Sequence, residues 1–353
     1  MIEEGKGNLL EAPVEALVNT VNTVGVMGKG IALQFARAFP ENLAAYEAAC
    51  ERKEVQPGKM FIQENRALTG PKFIINFPTK RHWRQPSRLE DVENGLEALV
   101  ADVRRLGIRS IALPPLGCGN GGLSWGEVRP LIEAAFSSLP DVKVFLFSPS
   151  GAPDAKVMKT GTKRPKMTDA TAATIGILAR YCEFDYRLSL LEVHKLVYFL
   201  KAAGEPMQRT VFEKGPYGPY ADSLRHVLSR IEGHFVQGWG DGSKNNPDTV
   251  IGLLPGAAEA ASEHLAQKSE THARFDRVAT LIEGFETPVG LELLSTVHWV
   301  AWEDGGTQSI EAVFTRTQTW NDRKRSLFPK PLVQLAFSRL QELDWLPQSV
   351  STS

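Results

Sequence analysis

The chain has 353 residues, 42% of them hydrophobic and 23% charged, with a formal net charge of −1. That length exceeds one ordinary core and fits two domains. No run of about 18 apolar residues occurs, which excludes a transmembrane helix. The acidic start, Met1 to Gly5, lacks a signal-peptide core, so a soluble cytoplasmic protein is expected. Cys50, Cys118 and Cys182 are far apart and give neither a disulfide framework nor a zinc spacing. The seven histidines contain no His-Glu-x-x-His, and neither a metal nor another cofactor is expected. The small net charge conceals an asymmetry. Residues 1–167 carry 22 Lys and Arg against 18 Asp and Glu, whereas residues 168–353 carry 18 against 23. A basic half suits phosphates and an acidic half suits a basic partner, although imbalances this small also arise by chance.

In chain order, residues 16–21 read as a buried strand that ends in a glycine-rich turn, Gly25 to Gly30. Helical spacing follows over 31–39 and, after Pro40, over 41–53. Residues 60–63 and 73–77 read as strands. Apolar residues at Val92, Leu96, Leu99, Val100 and Val103 mark one face of a helix over 89–106. A strand over 110–113 stops at Pro114-Pro115, a second glycine-rich loop runs from Gly117 to Gly122, a helix covers 125–139, and a strand covers 142–147. This alternation predicts an α/β domain at 1–150, with helices on both faces of a sheet. Residues 151–167 are polar, basic and rich in Pro and Gly, and read as a linker. Residues 168–353 read as a mainly helical domain, with helices over 173–182, 188–203, 219–231, 257–266, 272–284, 288–303 and 331–343. Residues 240–247 read as a turn or mobile loop.

Both glycine-rich loops, Gly25-Val26-Met27-Gly28-Lys29-Gly30 and Gly117-Cys118-Gly119-Asn120-Gly121-Gly122, stand where a strand hands over to a helix. Open α/β sheets bind ligands in that crevice, and free N–H groups at a helix start attract phosphate. Two such loops can clasp a diphosphate from two sides. Neither is a P-loop, because no Ser or Thr follows the lysine, and neither matches Gly-x-Gly-x-x-Gly.

The run Val18-Asn19-Thr20-Val21-Asn22, followed by Gly28-Lys29-Gly30-Ile31-Ala32, resembles the first signature of the macrodomains, the ADP-ribose-binding fold. Its spacing to Pro114-Pro115-Leu116-Gly117-Cys118-Gly119 matches as well. The wording from Asn19 to Ala32 is similar to that of bacterial DarG-type antitoxins of the DarT/DarG pairs. More distantly, it resembles the terminal ADP-ribose protein glycohydrolase. The resemblance covers about residues 1–150. It implies a three-layer α/β/α sandwich with a mixed sheet, and hydrolysis of ADP-ribosyl links. DarG-type enzymes take ADP-ribose from single-stranded DNA, typically from thymidine and in some systems from guanosine.

Carried onto this chain, the resemblance implies that Asn22 holds the proximal ribose beside the scissile bond; by itself it is also a plain turn residue. Asn19, Thr20, Gly28, Lys29, Gly30 and Ile31 would line ADP-ribose from one side. Pro115, Leu116, Gly117, Cys118, Gly119, Asn120 and Gly121 would line it from the other. Asn8 and Leu9 stand where many macrodomains bind adenine through an Asp. Lys80, in Phe77-Pro78-Thr79-Lys80-Arg81-His82-Trp83-Arg84, matches the catalytic lysine of the DarG and terminal glycohydrolase group. It would attack C1 of the ribose or stabilise the departing base. On residue type alone it is a surface or phosphate-contacting lysine. The partner Asp of the protein glycohydrolase falls on Gly121 here, which leaves a lysine-centred or substrate-assisted route. Cys118 has no neighbouring His and reads as a small loop residue. Arg81, His82, Trp83 and Arg84 mix guanidinium and aromatic groups as single-stranded DNA sites do.

In the second half, the helix Leu191 to Leu200 followed by Phe212-Glu213-Lys214-Gly215-Pro216-Tyr217-Gly218-Pro219-Tyr220 resembles the Panacea-type antitoxin domain. That resemblance implies that residues 168–353 bind the DarT-type toxin, with the acidic balance imitating DNA phosphates. Six scattered histidines in this half read as structural or surface residues. The expected function is therefore an antitoxin enzyme that removes ADP-ribose from DNA and releases it as product, with no membrane role. A non-catalytic ADP-ribose reader and a hydrolase acting on modified protein are the alternatives.

Overall fold

Residues 16–22 contain no charged side chain and form an inner strand of a six-stranded sheet, β2 (Ala16–Asn22). The computed structural model describes residues 1–66, 69–149, 151, 153–183, 188–243, 246–303 and 309–347. Contacts divide them into two units, residues 1–163 with 240–243, and residues 164–239 with those from 244 onward.

The first unit runs β1 (Ile2–Glu4), β2, α1 (Gly30–Ala38), α2 (Pro40–Glu51), β3 (Phe61–Glu64), β4 (Phe73–Lys80), α3 (Leu89–Leu106), β5 (Ser110–Leu113), α4 (Trp125–Ser137) and β6 (Lys143–Leu146). The sheet order is β1-β6-β5-β2-β4-β3, parallel except for the antiparallel pair β3–β4. Strand periodicity sorts the core into two layers. Ala16 and Val18 pack with Val92, Leu96, Leu99, Val128 and Ile132 of α3 and α4. Leu17 packs with Phe35 of α1, and Val21 with Ala36 and with Tyr46 of α2. A parallel strand covered on both faces reads as an unbroken apolar run, which is what the sequence displays. Gly95 lets α3 lie close on the sheet, since a Cβ there would meet the Phe77 ring at 2.3 Å.

Two features differ from the expectation. β1 was not anticipated, because three residues on a sheet edge, two half-buried and one exposed, carry no periodic signal. β4 runs on through Pro78 to Lys80, three residues beyond the apolar stretch. Pro78 has no N–H for the ladder, and there the register slips, so that Val21 faces Pro78 but Asn22 faces Lys80. This slip sets the two candidate catalytic residues side by side.

The stretch read as a linker lies along the first unit as far as Lys163. The Asn8 amide donates to Val157 O at 3.4 Å, and Gly161 N–H donates to Arg37 O at 2.7 Å. Such anchoring uses polar groups, which composition does not reveal.

The second unit contains α5 (Asp169–Cys182), α6 (Leu190–Ala202), α7 (Ser223–Ile231), α8 (Ala257–Leu265), α9 (Ser269–Ile282), α10 (Pro288–Trp302), α11 (Ile310–Trp320), α12 (Asp322–Leu327) and α13 (Lys330–Glu342). Two short antiparallel pairs accompany them, β7 (Glu213–Gly215) with β8 (Gly218–Tyr220), and β9 (Val236–Gln237) with β10 (Gly252–Leu253). α6 and α10 are buried almost throughout and form the axis of its core. A Ser189–Glu192 capping box starts α6. The helix expected from Pro219 begins only at Ser223, because Pro219 and Tyr220 belong to β8. α11 and α12 escaped the periodicity search. α12 is six residues with four charges, stabilised by the Asn321 cap and by Lys324 buried against Glu292. Of the loop expected at 240–247, residues 244 and 245 lie outside the described residues. His194 and His298 are buried, and burial pushes both down to about 3, so they are neutral core groups.

Candidate functional site

Parallel strands β2, β4 and β5 end along one edge of the sheet, and the loops that leave them build the site. Asn22 closes β2. Its Oδ1 accepts from Val24 N–H (3.0 Å) and Val26 N–H (3.3 Å), and its Nδ2 donates to Val26 O (2.6 Å). The side chain thus forms the turn after β2 and sets the course of the first glycine-rich loop. Tyr46, buried on α2, donates its hydroxyl to Asn22 O at 2.7 Å and fixes the strand end. Asn19 is fully buried and donates to Asn76 Oδ1 (3.0 Å), which also accepts from Asn42 Nδ2 (3.2 Å). Asn19 Oδ1 is buried without a hydrogen bond partner. Asn19 therefore faces an internal amide network rather than open space, and its role here is to brace the loop through Met27. Thr20 is half-buried on the opposite face of the strand.

Lys29 is the N-cap of α1 and contributes no side-chain cap. Gly28 and Lys29 are exposed, Gly30 and Ile31 half-buried. A Cβ on Gly30 would lie 3.0 Å from the Asn120 amide, so the two glycine-rich loops meet at this point. Gly30 N–H donates to Asp241 O (3.2 Å), and Gln34 on the next turn donates to the Asp241 carboxylate (2.7 Å).

The second loop is wound tightly. Cys118 N–H donates to Pro115 O, Leu123 N–H to Gly117 O and Gly122 N–H to Gly119 O, all at 3.1 Å. Gly117 is in the left-handed region at φ 70°, which favours glycine. Gly121 is confined by packing: a Cβ there would stand 2.2 Å from Gly117 O and 2.3 Å from Ser87 Oγ. An Asp at this position, as in the protein glycohydrolase pattern, does not fit the loop. Leu116 is core, Pro115 half-buried, and Gly119 and Asn120 exposed. Burial pushes the Cys118 thiol up to about 11, which leaves it protonated and unsuited to nucleophilic attack.

Lys80 reaches from the end of β4 to the second loop and donates to the Asn120 carbonyl. Burial lowers its pKa below the ordinary lysine value. Asn22, Lys80, Asn120 and Gly30 thus converge at the sheet edge. Leu9 is core, packed in one cluster with Phe35 of α1, and Asn8 is an N-cap whose Oδ1 accepts from Leu10 N–H at 3.0 Å.

Beyond Lys80 the chain carries an exposed aromatic and cationic knuckle. His82 stacks on Trp83 with centroids 5.5 Å apart, and the Arg84 guanidinium lies 4.5 Å from the Trp83 ring. Trp83 is 46% exposed, enough to receive a base. Arg81 is held instead by Asp91, Nη2 to Oδ1 2.9 Å and Nε to Oδ2 3.3 Å. Tyr46, Asn42, Asn76 and Ser87 support the site without having been singled out. Asn76 had a signal, because an amide inside the apolar run 73–77 must find partners. No group of three or more His, Cys, Asp or Glu able to hold a metal exists among the described residues, and none of their helices is long and apolar enough to cross a membrane.

Comparison with known proteins agrees with this architecture. The Macro domain family model matches residues 18–132. The DNA ADP-ribosyl glycohydrolase of Thermus aquaticus is 47% identical over 340 residues, 96% of this chain and 93% of that one. That of Mycobacterium tuberculosis is 42% identical over 356 residues, 96% and 99%. A DNA ADP-ribosyl transferase–DNA ADP-ribosyl glycohydrolase fusion protein of Thermosipho africanus is 33% identical over 168 residues, 43% of each chain. With similarity of this extent along nearly its full length, the chain belongs to the DNA ADP-ribosyl glycohydrolase family.

Proposed function

We propose that the first unit hydrolyses the bond between ADP-ribose and a base of single-stranded DNA, with thymidine as the preferred base. The carrying observation is Lys80, a half-buried amine of lowered pKa set opposite Asn22 and against the second glycine-rich loop. The diphosphate lies between the two loops, along Gly28 to Ile31 and Gly117 to Gly121, and adenine lies toward Asn8 and Leu9. The neutral Lys80 amine attacks C1 of the proximal ribose, the C1–N bond breaks, and the base leaves with a proton. Water then cleaves the lysine-linked intermediate, frees ADP-ribose and restores the amine. Asn22 keeps the strand end and the ribose in line. Trp83, His82 and Arg84 hold the strand, stacking a neighbouring base and meeting phosphate.

The second unit binds the cognate ADP-ribosyltransferase toxin in the bacterial cytoplasm. Support comes from the acidic balance of residues 168–353 and from the fusion of transferase and glycohydrolase in the Thermosipho africanus relative. One experiment tests both halves. Parent and Lys80→Ala proteins are incubated with an ADP-ribosylated thymidine oligonucleotide and, separately, with the active toxin. Release of ADP-ribose by the parent alone, with both proteins suppressing the toxin, is the expected result. No release by the parent would favour a non-catalytic reader, and no toxin suppression would remove the second unit's role.

A further inference from the structure

An open cavity of about 440 Å³ in the first unit is lined by the residues that directly follow the two candidate catalytic positions in the chain, a size that suits a nucleotide-sized group. Its floor is Thr23 and Arg81, the residues that follow Asn22 and Lys80, tied by a hydrogen bond from Thr23 Oγ1 to Arg81 O at 2.6 Å. One wall is the turn after α2, with Lys53 and Gln56. The other is the first turns of α3, with Asp91 and Asn94.

Three observations point to a ligand there. The first is accessible polarity: the exposed Asn94 amide and Lys53 ammonium line the cavity and, among the described residues, face it without a protein hydrogen bond or ion pair, whereas the Gln56 amide nitrogen donates to Lys53 O at 3.1 Å and Asp91 is held by Arg81. The second is backbone conformation. Lys53 sits just past the end of α2 at φ 59°, in the left-handed region, where helices ordinarily place glycine. Glu54 N–H closes the cap on Ala49 O at 2.9 Å. A lysine kept where glycine is easier is an outlier that invites a functional reading. The third is charge: Arg81 is paired with Asp91, so Lys53 is the lining cation left to meet an anion, with Glu90 also in the lining, which suits a group with a single phosphate at the Lys53 end rather than a polyanion.

We infer that this cavity is the leaving-group subsite, which receives the nucleotide whose base carries the ADP-ribose. The base edge meets the Asn94 and Gln56 amides, and the backbone phosphate meets Lys53. Asn22 and Lys80 stand at the scissile bond, with ADP-ribose on the glycine-loop side and the nucleotide on this side. The inference rests on the DNA glycohydrolase reading above.

The test compares the parent with Lys53→Gly and Asn94→Tyr, the first removing the cation and the second filling the cavity. Turnover is measured on an ADP-ribosylated oligonucleotide, affinity for free ADP-ribose by calorimetry, and stability by melting. Both variants are expected to lose about tenfold or more in kcat/KM, the scale of one charge-assisted contact, with ADP-ribose affinity unchanged. Lys53→Gly should melt no lower than the parent, because glycine fits the backbone better. Parental kcat/KM in both variants would overturn the subsite and leave the glycohydrolase reading intact. Loss of ADP-ribose affinity in step with turnover would also overturn it, by placing the effect in the shared fold. An inactive parent would remove both.

Discussion

Gly121 offers a sharp test of how packing enforces this site. A methyl group at 121 would stand 2.2 Å from Gly117 O and 2.3 Å from Ser87 Oγ, against an ordinary contact near 3.5 Å. Ser87 could rotate, but Gly117 O is held by Leu123 N–H at 3.1 Å, and Gly121 O by Ser87 N–H at 2.9 Å. Relief therefore requires opening the loop and losing at least one of these bonds. Overpacking costs about 1–3 kcal/mol, and the broken hydrogen bond about 1 kcal/mol. For a unit of this size each kcal/mol lowers the melting point by about 2–4 °C, so Gly121→Ala should melt roughly 4–16 °C below the parent. The neighbouring Asn120 carbonyl anchors Lys80, and a shift near 1 Å there should lower turnover about a hundredfold. Differential scanning calorimetry on parent, Gly121→Ala and Gly119→Ala measures this. Gly119 is the control, because its Cβ would meet nothing within 4 Å. A Gly121→Ala protein that melts with Gly119→Ala and turns over like the parent would refute the steric argument.

Further expectations follow from the same geometry. Burial lowers the Lys80 pKa, so the neutral, attacking amine gains weight as pH rises. Turnover should climb about tenfold per pH unit and level off below the ordinary lysine value near 10.4. A rate that falls with rising pH would assign Lys80 to stabilising the departing base as an ammonium. With its thiol held up to about 11, Cys118→Ser should keep turnover within about threefold, and a loss beyond tenfold would return Cys118 to the chemistry. In the second unit, Glu292 pairs with Lys324 at 2.6 Å, both fully buried, and with the half-exposed Arg323 at 3.1 Å. Glu292→Gln strands Lys324 and should cost about 3–5 kcal/mol in denaturant unfolding, whereas Arg323→Ala should cost about 1 kcal/mol or less. Equal effects would show that the buried pair is not what secures α10 to α12.

The sequence by itself determined the sheet-and-helix alternation of the first unit, because a strand covered on both faces must be continuously apolar and a helix such as α3 must repeat its apolar residues along one face. It also marked Lys80 and both glycine-rich loops, through their positions at strand ends and their family wording. It could not reveal that β4 continues past Pro78, because the slip between the Val21–Pro78 and Asn22–Lys80 pairs is an agreement between two strands that are distant in the sequence. Nor did it reveal that Asn19 is an internal brace, that Ser87 fills the space beside Gly121, or that a lysine occupies the left-handed turn after α2. Each depends on which side chain from a distant segment arrives at a given point. Local pattern constrains the backbone of each element, whereas the site is a set of non-local coincidences that only the packed chain decides.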